Sequence, residues 1–234
     1  MNRKILIGLF VIFFLLFLYS GYHIIMWQVD NVHTSNIVNN IKIISKSEVV
    51  DNEDDRINFN RLLLENREVV GWIKVNDTNI DYPILKHKDN DYYLNHSFDN
   101  SNNAAGWIFM DYRNNSQNFD FNTIIYGHGR KDGSMFGSLI NVLNNDWVNK
   151  KDNLNILFYT LSDEYLFQIF SIYYIDTTDD YVDINYSDEL VNRIVKRSFY
   201  DFNIDVKDTD KILTLSTCYN NDKKLVVHAK MIRN

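Results

Sequence analysis

The sequence has one cysteine, Cys218, and one proline, Pro83, among 234 residues. A single cysteine excludes an intrachain disulfide framework and any CxxC metal site. A lone cysteine is by default an inert buried residue, so a chemical role has to come from what surrounds it. The sequence also lacks any run of five or more basic residues, and its net charge is −7 with a pI near 5.3. That balance excludes a basic groove for nucleic acid and predicts a soluble acidic surface. No internal repeat or low-complexity segment interrupts the chain. What is present is a globular composition, 45% hydrophobic and 15% aromatic. The aromatics are mainly Tyr and Phe, which suit strands better than helices. The length accommodates one domain with its own core and an anchor.

The N-terminus carries the clearest physical signal. Residues Ile5 to Trp27 hold no formal charge and are mostly Ile, Leu, Phe and Val. As a helix of about 1.5 Å rise per residue this run crosses a bilayer. Arg3 and Lys4 precede it, which keeps that end cytoplasmic. Tyr19, Tyr22 and Trp27 lie towards the exit end, where an interfacial aromatic belt belongs. A cleaved signal peptide would have a shorter apolar core ending in small residues. Ser20-Gly21 is the only small pair, and bulky Tyr22, Ile24 and Ile25 follow it. The expected organisation is residues 1–4 cytoplasmic, 5–27 spanning, 28–55 a stalk or docking helix, and 56–234 the extracytoplasmic domain.

Residues 28–55 are polar and lack Pro and Gly, and Ile37, Val38, Ile41 and Ile44 recur at helical spacing. Asp51 to Asp55 form an acidic break. A second helix is expected over Ile57–Glu68, with Phe59, Leu62, Leu63 and Leu64 facing inwards. From Val70 onwards the pattern changes to short strands between turns. These are expected at Gly71–Val75, Tyr82–Lys86, Gly106–Asp111, Thr123–Tyr126, Leu154–Thr160, Tyr165–Ile175, Ile212–Thr217 and Leu225–Ile232. Eight short strands with polar turns predict a closed or nearly closed β-barrel, with Pro83 near a strand start or edge. Two helices are expected among them. One covers Ser134–Leu143. The other runs from Ser187, an N-cap followed by Asp188 and Glu189, to Tyr200, with the stripe Leu190, Val191, Ile194, Val195 and Phe199.

Thr214-Leu215-Ser216-Thr217 leads into Cys218, and Tyr219-Asn220-Asn221-Asp222 follow as a loop. A thiol at a strand end is held rigidly while its sulfur can reach solvent, as nucleophilic catalysis requires. The loop offers backbone N–H groups that could stabilise an oxyanion. A cysteine nucleophile needs a nearby imidazole or other cation. Of six histidines, His23 lies in the apolar run, His33 in the stalk, and His87 and His96 in polar loops. His228, inside the last strand, reads as a wall residue. His128 follows the strand Thr123–Tyr126 and sits between Gly127 and Gly129, which allow unusual backbone angles and close approach of a substrate.

Taken together these segments are specific. Asn122-Thr-Ile-Ile-Tyr-Gly-His128, continued by Lys131-Asp-Gly-Ser-Met-Phe-Gly137, resembles the histidine segment of class B sortases, cysteine transpeptidases of Gram-positive bacteria. Thr214-Leu-Ser-Thr-Cys218 resembles their cysteine signature. Asp81-Tyr-Pro-Ile-Leu85, Tyr93-Leu-Asn-His96 and Gly106-Trp-Ile-Phe-Met-Asp111 are similar to that family as well. The resemblance runs in order from about Arg56 to Ile232. It implies a mainly β fold: an eight-stranded sortase-type barrel with N-terminal helices and a helix between the sixth and seventh strands, here preceded by one transmembrane helix. It implies that Cys218 forms a thioester with a sorting signal of a secreted protein and that His128 acts as acid and base. An amine of cell-wall peptide then resolves the thioester. Neither cofactor nor metal is required.

Carried over position by position, the resemblance places Asn95, Tyr126, Thr177, Tyr181, Val182 and Ser216 in the substrate groove. It implies partners of two kinds, secreted proteins with a C-terminal sorting signal and the acceptor amine, with the bilayer held through residues 5–27. The implied location is the cell membrane, single-pass, with the catalytic domain outside. One position departs from the pattern. Sortases carry an arginine at the start of the last strand, and Lys224 occupies that place here. Lysine supplies the charge without the planar fork that grips a carbonyl and a backbone together. Arg130 lies nearest to His128 in the chain, and the direction of its side chain decides whether it can substitute. Two rival readings remain at this level. One is another cell-wall cysteine enzyme, an L,D-transpeptidase or NlpC/P60-type peptidase, whose Ser-His-Gly-Cys segment is absent. The other is a catalytically weak, tethered module that binds cell-wall peptides.

Overall fold

The computed structural model describes residues 3–46, 57–176, 181–220 and 223–233, and of 218–220 and 233 the backbone alone. The apolar run and the stalk form one unbroken helix, α1 (Arg3–Ile44). Its first half is exposed along its length and carries an apolar stretch long enough to cross a membrane. Its second half docks on the barrel. Thr34, Ile37 and Ile41 lie one turn apart on a single face and are buried, with Val38 and Ile44 packed beside them. The acidic break at 51–55 lies outside the described residues. Helix α2 (Phe59–Glu65) starts where the Asn58 side chain accepts the Arg61 N–H at 3.2 Å. It buries Leu62 completely, but Leu64, expected to face inwards, is exposed. It is shorter than expected because Asn66 turns away, donating to the Phe98 carbonyl at 2.6 Å.

Eight strands follow: β1 (Val69–Val75), β2 (Asp81–Leu85), β3 (Phe109–Met110), β4 (Asn122–Tyr126), β5 (Asn155–Tyr159), β6 (Glu164–Asp176), β7 (Ile212–Asn220) and β8 (Lys223–Arg233). They close into a barrel in the order β1-β2-β3-β4-β7-β8-β6-β5. Two neighbouring pairs, β2/β3 and β4/β7, run parallel. Pro83 pairs with Trp72 inside β2, whose other edge meets β3 only at Leu85. A proline is tolerated there because that side of the strand needs no ladder donor. Alternate residues of β7 and β8, Leu213, Leu215, Leu225, Val227 and Ala229, fill the interior with Ile73, Ile125, Phe158 and Phe167. At roughly 1.5–3 kcal/mol for each fully buried large apolar side chain, this core dominates the stability.

Several further elements differ from the sequence reading. β7 continues through Cys218 to Tyr219 and Asn220, which were expected as a loop, and β8 starts at Lys223 and not at Leu225, so Cys218 lies inside the β7/β8 ladder and not at a strand end. Over Ser134–Leu143 the chain turns at Met135, which has a φ of 51°, and then forms a 3-10 helix over Gly137–Leu143. The Gly106–Asp111 segment pairs only at Phe109–Met110, because Gly106 turns at a φ of 58° and the Trp107 N–H bonds the Tyr93 carbonyl instead. Two short helical pieces, α3 (Asn145–Val148) and a 3-10 segment at Lys151–Leu154, occupy the expected β4–β5 linker. The helix between β6 and β7, α4 (Asp188–Arg197), is capped by Ser187 as expected, its hydroxyl accepting the Leu190 N–H at 3.1 Å. It buries Leu190 and Ile194. Val195 and Phe199 of the expected stripe stay exposed. The helix stops at Arg197 because Phe199 turns its N–H onto the Ile172 carbonyl of β6.

Candidate active site

The parallel β4/β7 pair decides which residues meet. Tyr126 and Ser216 are register partners, and the Gly127 N–H reaches the Ser216 carbonyl at 3.3 Å. His128 and Cys218 therefore stand two residues beyond the same rung, at the same edge of the barrel. Parallel pairing brings residues some ninety positions apart side by side, where β4 ends at Tyr126 and β7 runs on through Cys218. Across β7, Cys218 is the register partner of Lys224, and the ladder shifts by a residue immediately after it.

His128 is held from two sides. Its Nε2 lies 2.8 Å from the Leu94 carbonyl oxygen. A carbonyl only accepts, so Nε2 carries the proton and Nδ1 is the nitrogen left to exchange one. A Cβ on Gly106 would sit 2.9 Å from the His128 ring and 2.5 Å from the Tyr93 carbonyl. Gly106 thus lets the backbone come close enough to seat the imidazole. On the far side the His128 carbonyl accepts the N–H groups of Arg130 and Phe136. The Arg130 side chain is fully engaged. Its guanidinium bonds Asn31 of α1, Asp132 and the Ser134 hydroxyl. It is engaged with α1 and with its own turn.

The expected groove residues divide. Asn95 is exposed beside Leu94. Tyr126 is half-buried, its hydroxyl donating to Asp111 at 3.0 Å. Burial, with the Asp111 charge behind it, pushes the Tyr126 phenol far up, so it stays neutral. Tyr181 and Ser216 are both buried and bonded to each other, hydroxyl to hydroxyl, at 2.8 Å. They make a wall of the site. Val182 is partly exposed beside them. Thr177 lies outside the described residues. Lys224 is partly exposed, with Nζ 5.7 Å from the centre of the Tyr181 ring, a cation–π distance.

Sequence reasoning missed the groups that hold this wall. Asp111, fully buried, receives Nε and Nη2 of Arg113 at 2.9 and 2.8 Å and the Asn90 amide at 3.1 Å. Burial pulls the Asp111 carboxyl up, but the Arg113 bonds and the Tyr126 hydroxyl outweigh it and hold it below the usual range. Arg113 also donates to the Val182 carbonyl at 2.8 Å. The Asn122 amide donates to the carbonyls of Tyr181 and Asp183. Its oxygen therefore faces Thr214, whose hydroxyl donates to it at 2.6 Å. With its proton committed, Thr214 accepts from Nδ1 of His228 at 2.7 Å, and Nε2 of His228 accepts from the Tyr173 hydroxyl at 2.8 Å. His228 is a satisfied wall residue, as its place in the last strand predicts. Burial, then the Arg197 charge, pushes its pKa down to about 3.

Asp-Tyr-Arg at 111–113 stood in plain view, but nothing local announces that the arginine reaches a loop some seventy residues on. An opening lies between the turn that follows His128 and strands β7 and β8. It is a cleft of about 570 Å³ bordered by Gly129–Lys131, Phe136, Asp77–Asn79, Thr217 and Leu225.

The family model of the sortase domain matches residues 73–232. That span contains both strand ends and most of the barrel. The chain belongs to the class B sortases. The sortase is 34% identical to the sortase B of Listeria monocytogenes, over 92% of each chain. It superposes on the crystal structure of B. anthracis sortase B in complex with AAEK1 with a TM-score of 0.77 and 35% identity, covering 88% of this chain and 99% of that one. A Staphylococcus aureus sortase B–substrate complex gives 0.74 and 30% identity, with 88% and 97% covered. The sortase is therefore a cysteine transpeptidase with the eight-stranded barrel of its class. Family membership implies substrate proteins with sorting signals and an amine acceptor.

Proposed function

We propose that this sortase is anchored by residues 5–27 and joins secreted proteins to an amine of cell-wall peptide through a thioester on Cys218. The observation that carries the reading is the Tyr126–Ser216 register, which sets His128 and Cys218 two residues beyond one rung of the β4/β7 pair. The Cys218 thiol passes its proton to Nδ1 of His128, and the resulting thiolate attacks the scissile carbonyl, forming the C–S bond. As the C–N bond breaks, the leaving amine takes a proton from Nδ1 of His128. The acceptor amine then attacks the thioester carbonyl and gives a proton back to His128. A new amide forms and the thiolate departs. The proton count closes over the two half-reactions.

Asn95, Tyr126 and Val182 would contact the sorting signal, together with Thr177. Tyr181 and Ser216 would support that surface. Lys224, facing Cys218 across the ladder, would supply the positive charge beside the scissile carbonyl. The apolar helix α1 and the surface role of the homologues support an extracytoplasmic domain on a single span.

The test is intact mass spectrometry of the full chain incubated with a sorting-peptide library. An adduct on Cys218 that vanishes on adding an amine is expected. Cys218→Ala should form none, and His128→Ala should lose turnover comparably, since the two act as one unit. His228→Ala should lose much less. A well-folded Cys218→Ala protein that still cleaves would end this reading.

A further inference from the structure

Two hydrogen-bonded routes lead from α1 to the two segments that hold His128. The first starts at Asn31, whose side-chain oxygen accepts from the Arg130 guanidinium. That guanidinium is largely buried, with 11% of its side chain exposed. Its Nε bonds the Ser134 hydroxyl at 2.9 Å, and Ser134 in turn bonds Asp132. The turn closes on the His128 carbonyl, which accepts from both Arg130 and Phe136. The backbone at Gly137 is pressed so tightly against Arg130 that a Cβ there would lie 2.1 Å from the Arg130 carbonyl oxygen. The turn therefore moves as a unit.

The second route starts at Thr34, buried at the docked face, whose hydroxyl accepts from the Asn103 amide at 2.9 Å. The Asn103 oxygen holds the Ala105 N–H at 2.8 Å, and its backbone bonds Asn95 and Gly106. Leu94 and Gly106 are the two residues against which the imidazole rests. His33 adds a contact to the same loop, 2.9 Å from the Ser101 hydroxyl. Asn31 and Thr34 sit on one face of one helix, three residues apart, and each addresses a different side of the same histidine.

We infer that α1 is part of the catalytic apparatus, with Asn31 and Thr34 as positioning residues that set the His128 imidazole through Arg130 and Asn103. This rests on the assignment of His128 proposed above. One route fixes the His128 backbone at its carbonyl and the other seats its ring, so a shift of the helix displaces both at once. Misplacement of a reacting group by about 1 Å costs up to roughly 100-fold in rate.

The experiment uses the full chain in lipid nanodiscs, with active enzyme counted by titration with a thiol-directed probe. Asn31→Ala and Thr34→Val, combined, should lower kcat per titrated site by about tenfold or more with KM for the sorting peptide unchanged. Asn31→Asp and Thr34→Ser keep the accepting oxygen and should restore most of the rate. Asn36→Ala, on the exposed face of the same helix, should leave it unaltered. A merely structural role would lower the melting temperature and the titrated fraction while leaving kcat per site intact, and that outcome overturns the inference. So does full kcat in the double variant while His128→Ala is inactive. An active His128→Ala enzyme would instead remove the acid/base assignment, and the positioning role with it.

Discussion

Acid should weaken this barrel through one buried histidine. His228 is fully buried between β6, β7 and β8 with both ring nitrogens bonded. Its pKa falls from an ordinary 6.5 to about 3, chiefly because burial penalises the charged ring and secondarily through Arg197. Between those two values the unfolded chain binds a proton that the folded chain refuses. Stability from this group is complete above pH 6.5 and is lost as pH falls towards 3. At pH 5, with 1.36 kcal/mol per pH unit, the loss is about 2 kcal/mol. The carboxylates held below their usual range, Asp111 and Asp132 among them, stay ionised at pH 5 and add nothing there. The assay is urea unfolding at pH 7.5 and pH 5.0, read by the buried Trp72, Trp107 and Trp147. His228→Gln keeps an amide in place of the ring but cannot titrate. It should be less stable at pH 7.5, and its pH-dependent loss should be smaller than the parent's by about 2 kcal/mol. Equal losses in the two proteins would show that His228 is not held neutral by the fold.

Three further outcomes are expected. Lys224→Arg should speed single-turnover acylation by about 10- to 150-fold, the value of one added charged hydrogen bond in the transition state, and Lys224→Ala should slow it. Equal rates in all three would place the charge elsewhere. Arg113→Gln should raise KM for the sorting peptide about fivefold with kcat little changed, because the Val182 carbonyl loses its donor. A fall in kcat at constant KM would contradict that role. Fractionation with N-terminal sequencing should recover the chain intact in membranes. Released protein beginning after Ser20 or Gly21 would refute the anchor.

The strands were legible because their apolar alternation is local: every expected run overlaps an observed one, and the helix after Ser187 begins at its cap. What failed also failed for physical reasons. Gly106–Asp111 reads as a strand, yet the positive φ at Gly106 turns the chain and spends the Trp107 N–H on Tyr93. Ser134–Leu143 reads as a helix from its apolar spacing, but Met135 adopts a left-handed turn and Phe136 hands its N–H to His128. The candidate site rested on the family resemblance alone. The pairing of Tyr126 with Ser216 and the seat of His128 on Leu94 join residues far apart in sequence, and no local pattern encodes them. The same holds for Arg130, whose engagement by Asn31 depends on where α1 docks.

The unbroken course of α1 sets how far the barrel can stand from a bilayer. Trp27 ends the apolar run, and Asn31 already touches the barrel. Four helical steps separate them, about 6 Å of rise. With the proposed anchor in place, there is no tether to pay out and no hinge about which to swing. The enzyme would ride the lipid surface at fixed height and tilt, its strand ends facing one direction relative to the headgroups. Its working volume is then a thin shell against the membrane. Substrates would have to be presented within that shell, as export and lipid-linked delivery do, and finished wall farther out would lie beyond its reach.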